Sequence, residues 1–324
     1  MAILPRVLTI LTIPKPFVGH IGNIQRNALE SWKELRDDVQ IVLIGDEPGI
    51  EDVAHGMGVQ HVGGIETSER GTPRLDSAFS VAETVARFPL WALINSDIVL
   101  LEDFLPAVDR VARTFKNFVL VGECRDLKVA EGARLSDATV REQLRGQALQ
   151  EGRLRGYAAL DYFVFPRGLF DPLPPFLIGR AGFDNWLVWR ARKRRHPVVD
   201  ATRRVVAIHQ SHDYSHVAGG QKETYDGEEA RYNLRLAGAR NNPFIKNDAL
   251  FSLDDATHRL YRRGRPVPYL GSVLRIRARV RFTGWLVYEH GALFPLLHTV
   301  YLLRKRLGLL DLRERWFGGR FARS

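Results

Sequence analysis

Cysteine is nearly absent: the 324-residue chain has only Cys124. One thiol excludes an intramolecular disulfide and a cysteine-built zinc site, and fits a reducing compartment. Cys124 reads as a small buried hydrophobe rather than a nucleophile. Glycine-rich phosphate loops are also missing, with no Gly-x-Gly-x-x-Gly and no Walker sequence. Long apolar runs are missing too. The stretch 7–13 is too short for a membrane span and is broken too early by Pro14 and Lys15 for a signal peptide, so it is expected to form a first strand.

Charge is abundant but unevenly placed. The net formal charge is +10, yet residues 259–324 hold 15 Lys plus Arg against 3 Asp plus Glu, and residues 1–258 hold 32 against 34. The basic character therefore belongs to the tail. This argues against nucleic acid as the partner of the core and for a separate role of the tail on an anionic surface.

With 45% hydrophobic residues the chain can bury a large core. Apolar runs alternate with helical periodicity, as a parallel sheet with crossover helices requires. The expected strands are 7–13, 40–44, 58–62, a run over 91–101, 118–122, 161–166 and 204–209. The expected helices carry Ile21, Ile24, Ala28, Trp32 and Leu35; Leu75, Phe79, Ala82 and Ala86 after a Thr72-Pro73 cap; Phe104, Val108, Val111 and Phe115; a charged stretch over 130–155; and a helix from Phe183 to Arg190. Pro172 to Pro175 reads as a rigid turn-rich segment.

Several polar residues interrupt this pattern. Asn95-Ser96-Asp97 sits inside an otherwise apolar run, where a carboxylate must be paired or bind a metal; the alternative is a tight bend capped by Asn and Asp. Asp184 falls in the first turn of its helix, either as a charge on the helix dipole or as a catalytic carboxylate. His209, His212 and His216 cluster after a strand, a pattern suited to metal or phosphate. Gly219 and Gly220 then open a loop that brings Lys222 and Tyr225 over a ligand.

The order of these pieces over residues 4–217 resembles that of the GT-A fold glycosyltransferases, which use nucleotide-diphosphate sugars. Asn95-Ser96-Asp97 is similar to the family's Asp-x-Asp motif, with Asn95 where Asp is usual. Asp184 with Leu187 and Arg190 is similar to its Asp-x-x-Leu-x-x-Arg acceptor-side motif. The resemblance implies a Rossmann-like α/β three-layer sandwich around a mostly parallel sheet. It further implies a divalent ion, Mn²⁺ or Mg²⁺, held by Asp97 and by His209 or His212, and Asp184 as the general base of an inverting transfer. Asp46 would contact the nucleoside. Pro14 and Lys15 would meet the base or phosphates, and Arg74 the nucleotide, with Asp76 beside it contacting the nucleotide or capping its helix. Asn95 and Ser96 would lie on the donor, and Asp161 would bind the donor sugar or serve as a plain strand-start carboxylate.

The expected organisation is a catalytic domain over 1–250 and a basic, partly amphipathic helical region over 251–324. The tail is read as a capped helix from Asp254, alternating Arg275, Arg277, Arg279 and Arg281, an uncharged stretch 291–303 too short to span, and Arg304-Lys305-Arg306. Such a pattern suits either a peripheral contact with an anionic membrane, and hence a lipid-linked acceptor, or a helix docked on the catalytic domain or a dimer partner. The expected location is cytoplasmic, on the inner face of the membrane where the tail makes that contact. The acceptor would be a glycan or lipid-linked hydroxyl. Two other readings share the early α/β pattern: a sugar-1-phosphate nucleotidylyltransferase, which would carry a Gly-rich Arg/Lys loop where Pro14-Lys-Pro-Phe-Val-Gly stands, and a non-catalytic carbohydrate-binding or scaffold protein.

Overall fold

A computed structural model describes residues 8–130, 132–156, 159–212, 220–238, 244–253 and 260–262. The chain divides into Met1–Tyr269 and Leu270–Ser324. The second unit, with the arginine alternation and the apolar stretch, lies outside the described residues, as do 254–259 of the expected tail helix and His216.

The elements run β1 (Leu8–Thr12), α1 (Gly19–Lys33), β2 (Gln40–Ile44), α2 (Ile50–Met57), β3 (Gln60–Val62), α3 (Leu75–Val85) and β4 (Leu90–Ile94). There follow β5 (Ile98–Val99), α4 (Phe104–Thr114), β6 (Val119–Val121), β7 (Arg125–Leu127), α5 (Ala138–Gln150), β8 (Arg153–Leu154) and β9 (Tyr162–Pro166). The last are α6 (Phe183–Lys193), β10 (Val198–Asp200), β11 (Ile208–Gln210), α7 (Gly220–Asp226), α8 (Glu228–Ala237), β12 (Phe251–Leu253) and β13 (Leu260–Arg262).

Nine of the described strands form one sheet in the order β13-β12-β10-β6-β9-β4-β1-β2-β3. The pairs among β4, β1, β2 and β3 and those among β12, β10 and β6 are parallel, and β9 runs antiparallel between the two groups. Strand alternation sends Leu8, Ile10, Ala92 and Ile94 to one face, against Ala28, Leu29 and Trp32 of α1, Val53 of α2 and Val108 of α4. The opposite face is aromatic: Phe79 of α3 packs on Trp91 and Phe165, and Phe165 reaches through Phe170 toward Trp186 of α6. Helices thus cover both faces, giving the expected three-layer α/β arrangement.

Six expectations need correction. The run 91–101 is not one strand: the chain leaves the main sheet at Ile94 and enters a second sheet at Ile98, in the order β5-β11-β7-β8. The break falls on Asn95-Ser96-Asp97, whose Asn95 C=O accepts the Ile98 N–H in a turn. Only 138–150 of the charged stretch 130–155 is helical, with Asp137 capping Thr139 and β8 taking the end. The strand of 204–209 begins at Ile208, because the backbone N–H groups of Arg204 and Val205 turn back to Ala201. Gly220 starts helix α7 rather than a loop, and Leu260, assigned to the tail helix, starts β13. Thr72 does not cap α3 either; Arg74 holds the N-cap position, and the Thr72 hydroxyl donates to Glu229. Among the described residues no helix is long and apolar enough to cross a membrane.

Candidate functional site

The second sheet is the frame of the site. In its register His209 of β11 sits opposite Ile98 on one side and Asp126 of β7 on the other. Asp97 directly precedes Ile98, so the pairing brings Asp97, His209 and Asp126 to neighbouring positions at one end of the small sheet. His212, three residues beyond His209, comes within 2.9 Å of Asp97 Oδ2 through its Nε2. His209 Nε2 lies 3.5 Å from the same oxygen.

Hydrogen bonds from α1 fix the backbone around this group. Gln25, buried on the apolar side of α1, accepts from the Lys15 N–H at 2.8 Å and from the Ser96 hydroxyl at 2.7 Å, and its amide donates to the Lys15 carbonyl at 2.9 Å. One side chain therefore ties the loop after β1 to the turn after β4. Gln210 does the same for β11, donating to the Ile24 and Asp97 carbonyls and accepting from Asn27. Such fully satisfied buried amides set a rigid arrangement.

The charges follow from this geometry. Burial alone would neutralise Asp97, but hydrogen bonds from His209 and His212, with Lys15 nearby, hold its carboxyl well below the usual range. Burial pulls the Lys15 ammonium down, and Asp97 opposes it. Burial also works against a charged His209, yet its bonds to Asp126 and Asp97 outweigh that and raise it to about 9. Asp126 Oδ1 takes the His209 Nδ1 at 2.8 Å, which leaves Nε2 facing Asp97. This is the carboxylate support that metal-binding imidazoles carry.

Asp97, His209 and His212 offer ligand atoms all within 4.8 Å of one another, and Asp97 Oδ1 is buried with no hydrogen-bond partner. A mixed oxygen and imidazole set with an orphaned carboxylate oxygen fits a divalent cation such as Mn²⁺.

Two more carboxylates flank the group. Asn95 and Asp161 meet where β4 and β9 pair: the Asn95 N–H donates to the Asp161 C=O at 3.0 Å, and Asn95 Nδ2 to Asp161 Oδ1 at 3.2 Å. Arg155 Nη1 lies 3.6 Å from the same Oδ1, while Asp161 Oδ2 is buried and unpartnered. Burial raises Asp161, with Arg155 opposing. Asp184 opens α6 behind Gly182, whose φ of 112° suits glycine at that N-cap. Burial raises the Asp184 carboxyl to about 6, against backbone N–H groups that favour its charge, with the nearby Asp161 adding to the rise. Its Oδ1 has no partner.

The other expected residues lie in different settings. Asp46, at the end of β2, is exposed and takes the Gly64 N–H with both oxygens, at 3.0 and 2.9 Å. Pro14 stands beside Lys15 in the loop that Gln25 holds. Arg74 is engaged by Glu66 and by Asp76, the latter at 2.6 Å, so Asp76 and Arg74 pair with each other at the start of α3.

Sequence reading missed Gln25, Asp126, Arg155 and the α8 pair Glu229 and Asn233. Gln25 carried a signal, a polar residue on a helix stripe with Ala28 and Trp32. Glu229 accepts from Thr72 at 2.7 Å and from Arg180 Nε at 2.9 Å. Asn233 bonds both backbone groups of Leu177 at 2.8 Å, holding the segment that leads into Asp184.

No family model matches this chain, and no curated protein matches it. Among solved structures it is similar to glucosyl-3-phosphoglycerate synthase from Mycobacterium tuberculosis in complex with Mn²⁺, uridine diphosphate and phosphoglyceric acid. The identity there is 14%, over 72% of this chain and 79% of that one, with a TM-score of 0.42. The same synthase with phosphoglyceric acid gives 15% identity, 73% and 80% coverage and a TM-score of 0.44. S. aureus TarS 1–349 in complex with UDP-GlcNAc gives 12%, 39% and 38%, and 0.29.

Proposed function

We propose that this protein is a metal-dependent glycosyltransferase that moves a sugar from a nucleotide-diphosphate donor to a hydroxyl acceptor. The observation that carries this is the convergence of Asp97, His209 and His212, with an orphaned Asp97 oxygen, at a break between two sheets. Open α/β sheets bind ligands beyond their strand ends.

Asp97 and the two histidines would hold Mn²⁺ or Mg²⁺, which when bound supplies charge to stabilise the leaving diphosphate. Lys15, fixed by Gln25, adds positive charge on the same side. Asp184 is the proposed base. A carboxyl near 6 is ionised at neutral pH yet basic enough to take the acceptor's proton as the new bond forms, giving inversion at the anomeric carbon. Asp46 at the end of β2 is assigned to the nucleoside and Arg74 to the donor edge.

The acceptor is assigned to a glycan or lipid-linked hydroxyl in polysaccharide or glycolipid assembly. The excess of 15 basic over 3 acidic residues in 259–324 supports a peripheral contact with an anionic membrane surface. A paired, second-sphere-supported ligand set argues against a non-catalytic scaffold, which has no need of a buried orphan carboxylate oxygen.

Calorimetric titration of nucleoside diphosphates with and without Mn²⁺, followed by assay of nucleotide-sugar turnover, tests this. Metal-dependent diphosphate binding that disappears in Asp97→Ala is expected. Wild-type turnover in Asp97→Ala would sink the assignment, and a response to pyrophosphate would favour nucleotidyl transfer.

A further inference from the structure

The Asn95-Ser96-Asp97 turn carries an amide at the position where a second acid would add a metal ligand, and the structure gives that amide another task. Asn95 points across the β4–β9 pairing to Asp161, donating through its backbone N–H at 3.0 Å to the Asp161 carbonyl and through Nδ2 at 3.2 Å to Oδ1. The ligand atoms that converge belong to Asp97, His209 and His212, while the Asn95 amide nitrogen is engaged with Asp161. An ionised carboxylate only accepts hydrogen bonds, so the amide nitrogen must face Asp161. With Oδ1 taken by Asn95 and faced by Arg155 at 3.6 Å, Oδ2 is left buried without a donor.

We infer that Asn95 is a positioning residue: it holds Asp161 so that Oδ2 accepts a hydroxyl of the donor sugar, and it does not ligate the metal. This rests on the glycosyl-transfer reading. A carboxylate at position 95 would stand about 3 Å from the Asp161 carboxylate, and two like charges at that range repel. The neutral residue is therefore a requirement of the Asp161 contact rather than a lost ligand. Arg155 cannot replace it, since it lies beyond hydrogen-bond range of Oδ1.

The test uses the full chain and reads Mn²⁺ affinity by paramagnetic resonance and binding of nucleoside diphosphate and nucleotide sugar by calorimetry. Asn95→Asp and Asn95→Ala are expected to keep Mn²⁺ and nucleoside diphosphate affinity within about threefold while weakening nucleotide-sugar binding about tenfold. The exchange Asn95→Asp with Asp161→Asn restores the bond with donor and acceptor reversed, keeps an acceptor oxygen at 161, and should recover most of the sugar-dependent affinity. Mn²⁺ affinity rising about tenfold in Asn95→Asp, or equal losses for nucleoside diphosphate and nucleotide sugar in Asn95→Ala, would overturn the inference. So would an exchange variant no better than Asn95→Asp. Asp97→Ala in the same resonance assay separates the two levels: retained Mn²⁺ binding there defeats the glycosyl-transfer reading itself. Thermal unfolding of each variant identifies a misfolded one, and Asn95→Ser then serves in its place.

Discussion

Replacing Asp184 with asparagine should make the protein more stable at alkaline pH while removing transfer. Burial lifts this carboxyl from 3.8 to about 6. The folded state therefore keeps a proton between those values that the unfolded chain releases. Stability falls as pH rises through that window and stays lower above it, by about 3 kcal/mol at 1.36 kcal/mol per pH unit. An amide has no charge to desolvate, but it leaves an NH₂ where the unpartnered Oδ1 stood, which costs about 1 kcal/mol. The expected net gain at pH 8 is about 2 kcal/mol; it crosses zero at about pH 4.5, and well below 3.8, where the wild-type carboxyl is neutral in both states, the variant is about 1 kcal/mol less stable than wild type. Urea unfolding at pH 4 and pH 8 measures this as a shift in midpoint at constant slope. Turnover of the variant should drop by about 10² to 10⁴ with metal-dependent donor binding retained. An asparagine variant that is less stable than wild type at pH 8 would refute the desolvation argument. Unchanged turnover, or a product that keeps the donor's anomeric configuration, would refute the base assignment.

Wild-type kcat/KM should fall tenfold per pH unit below about 6, and a profile flat down to pH 5 would remove Asp184 from that role. Asp126→Ala should weaken Mn²⁺ binding about 10- to 100-fold, because His209 Nδ1 loses its acceptor; titration with Mn²⁺ reads this directly. Glu229→Gln should destabilise the protein by about 3 kcal/mol, since Arg180 would be left without its buried carboxylate. Burial opposes the Glu229 charge, but bonds from Ser68 and Thr72 and the Arg180 charge hold its carboxyl below the usual value. This stabilisation is therefore present at neutral pH and lost on acidification through the lowered value, and urea midpoints for wild type and Glu229→Gln should converge there. Gln25→Leu should reduce donor affinity and leave the fold intact, because Lys15 and Ser96 lose their common anchor; a variant with unchanged affinity would refute the anchoring role.

The sequence by itself determined the layers. Uninterrupted runs such as 40–44 bury on both faces, and the spacing of Ile24, Ala28 and Trp32 makes one stripe of α1, so strand and helix periods were legible without a partner in view. It also exposed the acidic and histidine residues that now meet, because Asp97 and His209 interrupt apolar runs where a charge needs a reason. It could not show that 91–101 divides between two sheets, since both halves are equally apolar and only pairing distinguishes them. The partners of the site were likewise a matter of register. Asp126 becomes the support of His209 through one rung of the β7–β11 ladder, and Asn95 becomes the partner of Asp161 through the β4–β9 junction, contacts made across 83 and 66 residues of chain. Local pattern records which face a residue prefers. Which residue stands opposite it is set by hydrogen-bond register between distant strands, and that is decided only in the tertiary structure.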